Sequence, residues 1–186
     1  MKINQHFFVL SLLVLLCSCG ARSLPSDAVK VYEGQLALLE GSYLINSYAS
    51  PSFSDPLKGI DQFLDIYIPT PIEYVNLRFI DDKTLELYYD HKGIKFQKQY
   101  KGKLKRGAFY IESTRGFLGI PFLIFIRENN YVRLLMGNDD HLILERYEKE
   151  VTHFFNNTSK TIFWESYYYD RLYKGVHLDK DGGFLQ

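Results

Sequence analysis

Between residues 73 and 148 the chain repeats one pattern: a run of alternating apolar and polar residues, then a short polar turn. In EYVNLRFI, 73–80, Val75, Leu77 and Phe79 share one face, while Asn76 and Arg78 share the other. TLELYY, 84–89, repeats this with Leu85, Leu87 and Tyr89. A period of two belongs to a strand buried on one side. Further runs are IKFQKQYK (94–101), AFYIES (108–113), FLIFIR (122–127), YVRLLM (131–136) and HLILERYE (141–148), and GSYLINSY (41–48) precedes them all. Connections this short join only antiparallel neighbours. The eight runs therefore predict an up-and-down meander. An open meander exposes two strand edges, and closure removes them. The expected fold is all-β, an eight-stranded up-and-down antiparallel barrel with room for side chains or one small ligand. A small sandwich made from the same meander is the alternative.

Two segments break the rhythm. Residues 49–72 form one long connection, which in a compact domain is functional or disordered. Residues 159–175, SKTIFWESYYYDRLYKG, bring Ile162, Tyr169 and Tyr173 near helical spacing, with Ser159 and Gly175 as end signals. They predict one helix packed outside the barrel. The expected single domain covers residues 31–186.

Gly41-Ser42-Tyr43, Asn129-Asn130-Tyr131 and LILER with Arg146, in this order, resemble three motifs of the lipocalins. Gly41-Ser42-Tyr43 stands where that family opens its first strand with G-x-W. Asn129-Asn130-Tyr131 stands at its T-D-Y-like turn, matching only the tyrosine. LILER ends the eighth run with Arg146, where the family carries an arginine that packs over the first-strand aromatic. The resemblance implies a lipocalin-like barrel, a lid in residues 49–72, and a Tyr43–Arg146 contact at the closed end.

The chain opens with Lys2 and a ten-residue apolar run, FFVLSLLVLL, too short to span a membrane. A positive start and a short apolar core make a secretory signal. Leu16-Cys17-Ser18-Cys19 then resembles the bacterial lipobox, which implies a signal peptide at 1–18, lipid on Cys19 and a tether at 19–30. Several acyl chains make such anchoring stable. The implied location is the bacterial cell envelope, lipid-anchored at the outer membrane and facing the periplasm. An ordinary secreted chain with two incidental cysteines is the alternative.

Twenty-two basic side chains balance 22 acidic ones. That composition offers no basic footprint for nucleic acid. No G-x-S-x-G, H-E-x-x-H, Gly-rich phosphate loop or zinc spacing occurs, so no catalytic residue, metal ligand or cofactor is assigned. Binding remains. Along 94–101, Ile94, Phe96, Lys98 and Tyr100 oppose the polar set Lys95, Gln97, Gln99 and Lys101. Phe96, Lys98 and Tyr100, with Leu77, Leu87, Phe109 and Ile111, are the expected lining of a small-ligand cavity. An inward Lys98 would meet a ligand anion, pair internally, or snorkel out at the rim. The basic run 92–106 would face anionic lipid or form a solvated hairpin face. The expected function is carriage of a small hydrophobic or amphipathic ligand. The alternative is a non-catalytic envelope lipoprotein that docks a protein partner of unknown identity.

Overall fold

The structure, a computed structural model, describes residues 23–50, 57–68, 72–91, 93–111, 116–120, 124–155 and 157–174. The signal, Cys17 and Cys19 lie outside them. Eleven strands form one antiparallel sheet: β1 (Ala28–Val29), β2 (Gly41–Leu44), β3 (Tyr74–Asp81), β4 (Thr84–His91), β5 (Ile94–Lys105), β6 (Ala108–Ile111), β7 (Phe117–Ile120), β8 (Ile124–Gly137), β9 (Leu142–Phe154), β10 (Asn157–Tyr169) and β11 (Arg171–Lys174). A 3-10 turn, Leu36–Leu39, precedes β2, and among the described residues of the long connection lies a short helix, α1 (Ile60–Phe63). Among the described residues no helix is long and apolar enough to cross a membrane.

The hydrogen-bonded order is β10-β9-β8-β6-β5-β4-β3-β2-β11, with β1 and β7 also on β8. This corrects the expected eight-stranded closed barrel: the path is open, with β10 and β11 at its ends. Those two strands are consecutive in the chain, with only Asp170 between them.

Two local expectations fail. The expected turn at 128–130 lies inside β8, where Glu128, Asn129 and Asn130 face Glu150, Lys149 and Glu148 of β9. This stretch rises beyond the core, so water meets its polar side chains on both faces and nothing forces a turn. The sixth and seventh runs are therefore one strand. The expected C-terminal helix is also absent, because 157–169 is β10, paired with β9 along its whole length. The segment is rich in Tyr, Phe, Ile, Thr and Trp, which suit a pleated surface. Tyr167 and Tyr169 are both buried, at strand spacing.

The core joins Tyr43, Val75, Leu77, Leu85, Leu87, Phe109, Leu134, Leu144, Tyr167 and Tyr169 from the sheet to Ile60, Phe63 and Leu64 of the α1 segment. β5 changes partner at Gly102, pairing with β4 through Lys101 and with β6 from Gly102 on. A Cβ on Gly102 would stand 2.5 Å from the Phe109 ring and 2.4 Å from the Tyr110 carbonyl oxygen, so the crossing needs glycine. Arg106 and Gly107 both take positive φ, 54° and 83°, in the two-residue turn that suits the twist of a hairpin.

Residues 23–30 of the expected tether lie among the described residues and pack on the sheet. Leu24 and Ala28 cover Ala108, Leu135 and Ile143 on the outer side of the sheet. Arg133 and Glu145, 1% and 0% exposed, form an ion pair. Ser166 donates to Glu145, and Arg133 donates to the Ser23 carbonyl.

Candidate functional site

α1 arises from a helical signal inside the long connection: Ile60, Phe63 and Leu64 recur at i, i+3 and i+4 and are all buried. The segment is fixed at its start by Ile60 N–H donating to the Ile45 carbonyl, 2.8 Å, and by the Asn46–Gly59 bridge. At its end Asp65 takes a positive φ of 52°, the left-handed turn that commonly closes a helix.

The last carbonyls of a helix have no partner of their own. Here three successive carbonyls, at the end of α1 and just past it, are met by three side chains of the sheet. The Phe63 carbonyl accepts from Arg146 of β9. The Leu64 carbonyl accepts from the Tyr100 hydroxyl at 3.4 Å, and the Asp65 carbonyl from Lys98 Nζ at 3.4 Å, both from β5. Two of the donors are cations, the charge a helix C-terminus favours. The Arg146 guanidinium also lies 5.0 Å from the Phe63 ring centroid.

Beside this latch is a cleft of ≈ 280 Å³, lined by Phe63, Leu64, Asp65, Tyr100, Ile111, Asn130, Tyr131, Val132, Arg146 and Glu148. Its cation is already answered: Arg146 stands 3.6 Å from Glu165, 3.8 Å from Asp65 and 3.9 Å from Glu148. Lys58 in turn contacts Glu165 at 2.5 Å. Burial pushes the Tyr131 phenol up to about 12 and raises Tyr100 further, so both remain hydrogen-bond donors at neutral pH.

At the other end, Tyr43 meets Arg171, whose guanidinium lies 5.5 Å from the ring centroid. Arg171 also donates to the carbonyls of Leu38, at 2.8 Å, and Glu40, and contacts Asp140 at 2.6 Å. The Tyr43 hydroxyl donates to the Leu39 carbonyl at 3.0 Å, and burial raises its pKa. Compared with known proteins, the chain matches no family model, no curated protein and no solved structure.

The expected site residues therefore separate. Tyr100, Ile111, Tyr131 and Arg146 meet at the cleft. Leu77, Leu87 and Phe109 are fully packed core. Phe96 stacks on Tyr89, with ring centroids 5.1 Å apart. Lys98 is on the expected face, half-buried between exposed Gln97 and Gln99, and serves the latch. Gly41 begins β2 at the Tyr43 end, and the cation on Tyr43 is Arg171 where Arg146 was expected. Sequence reading missed Phe63, Leu64, Asp65, Val132 and Glu148. The Ile60-Phe63-Leu64 spacing was the available signal for the first two.

Proposed function

We propose that this chain is a membrane-anchored, lipocalin-like carrier of a small hydrophobic or amphipathic molecule, with α1 as the lid of its binding site. The observation that carries the reading is the latch: a lid of apolar side chains seated in the core, held at its end by hydrogen bonds from Arg146, Tyr100 and Lys98. Withdrawing Ile60, Phe63 and Leu64 would open the apolar interior to the adjoining cleft. Each Å² of apolar ligand surface buried there contributes ~25 cal/mol. Because carboxylates already surround Arg146, the ligand this site suits is neutral.

Two further features support the lipocalin-like reading. Tyr43, in Gly41-Ser42-Tyr43, has an arginine over its ring, and Asp170 links the two ends of the strand path. Lipid on Cys19 is the anchor in this proposal and places the domain at the envelope. Organic extraction of the full chain purified from its host's membranes, followed by mass spectrometry, tests the reading. It predicts a neutral apolar compound in stoichiometric amount; an extract free of one counts against it.

One observation favours docking of a protein partner as a second reading. β8, β9 and β10 rise past the core as an arm, and the residues of β10 from Asn157 to Phe163 are all exposed.

A further inference from the structure

The arm presents an exposed outer edge along β10 from Asn157 to Phe163. Tyr168 donates its N–H to Ala49 and accepts from the Tyr48 N–H, so its main-chain groups point away from β9. The β9–β10 register runs unbroken from Tyr169 to Asn157. Main-chain groups alternate sides along a strand, so those of Ile162, Lys160 and Thr158 also point away from β9. Among the described residues no strand pairs with that edge above the Ala49–Tyr168 bridge. Ile162 and Phe163 beside it are 46% and 49% exposed. A long edge strand with apolar side chains is a template for another strand.

We propose that this edge pairs antiparallel with the same edge of a second copy of the chain, on a two-fold axis at Thr161. Charge selects this arrangement. One face of the arm carries Glu128 and Glu150 directly opposite each other, with Glu148 on the same side. The other face carries Arg127, Lys149 and Lys160, by the same register. A two-fold stack of either face on itself would set like charges together. Edge pairing does not. Lys160 is the single charge between Asn157 and Phe163. An axis on Lys160 would oppose two ammonium groups, whereas an axis on Thr161 sets each Lys160 against the partner's Ile162. Thr161 then faces its own copy, and threonine pairs are favourable across strands.

The inference does not depend on the ligand reading, and its test is separate. The full chain in detergent, measured by sedimentation, should be a dimer. Thr161→Lys, a change at an exposed position, should weaken that dimer about tenfold or more, and Thr161→Val should keep it. Ile162→Pro removes an edge donor that serves no internal bond and should give a monomer. A wild-type monomer at every concentration overturns the proposal. So does a dimer indifferent to Thr161→Lys, which would be held by some other surface.

Discussion

The Arg171 guanidinium lies over the Tyr43 ring while its nitrogens donate to the Leu38 and Glu40 carbonyls. One side chain thus ties the end of the strand path to the 3-10 turn and to β2. It is 3% exposed, so these bonds form largely out of water.

Arg171→Met should cost about 1.5–3 kcal/mol, the worth of a buried hydrogen bond to a charged group. Tyr43→Phe should cost about 1 kcal/mol, since it removes only the bond to Leu39. Urea unfolding of the two variants measures both. Equal, negligible losses would show that the clamp contributes nothing.

The lid latch gives a local prediction. Lys98→Met with Arg146→Met leaves two C-terminal carbonyls of the α1 segment without their donors. Amide exchange at Phe63 and Leu64 should then accelerate by about tenfold for each 1.4 kcal/mol lost from lid closure. Exchange in β3 and β4 should be unchanged. Uniform acceleration would mean that the pair supports the whole fold rather than the lid.

Arg133 and Glu145 are buried together, and Arg133 donates to the Ser23 carbonyl. Removing one partner strands a charge and should cost about 3–5 kcal/mol, while Arg133→Met with Glu145→Leu should cost far less than the sum of the singles. Additive single and double variants in urea unfolding would contradict this coupling.

Glu86 predicts acid sensitivity. Burial works against its charge, but hydrogen bonds from Gln99, Gln97 and Arg78, with the Arg78 charge, outweigh burial and hold its pKa below 4.5. A carboxyl with a lowered folded pKa contributes stability that is present above its unfolded value and lost as pH falls through the folded one. Stability should fall on acidification below about pH 4.5, and Glu86→Gln should reduce that slope. An unchanged slope would remove Glu86 as a contributor.

The period-two faces of residues 73–101 were legible because one side of each strand meets core and the other meets water. The alternation of Lys95, Gln97, Gln99 and Lys101 against Phe96, Lys98 and Tyr100 matches the exposure along β5. Legibility failed where that contrast vanished. In the arm both faces are wet, so Asn129 and Asn130 read as a turn although they lie within β8. Splitting that strand moved the count on by one. β9 then stood as the eighth strand, with Arg146 expected over Tyr43 where the structure has Arg171, and β10 read as a helix because Ile162, Tyr169 and Tyr173 fall near helical spacing. The lid was hidden for a different reason: α1 is only four residues long, and its periodicity is shorter than the window that reveals a helix.

The most direct test of the carrier reading fills the cleft. Ile111→Trp projects an indole into the space between Tyr100 and Val132 without touching the Tyr43–Arg171 clamp. Fluorescence titration with N-phenylnaphthylamine, a neutral apolar probe, should show saturable binding to the full chain and a loss of about tenfold or more in the variant, the scale of 1.4 kcal/mol. Equal binding by the two proteins, with urea midpoints unchanged, would contradict the assignment of the cleft and lid as the ligand site.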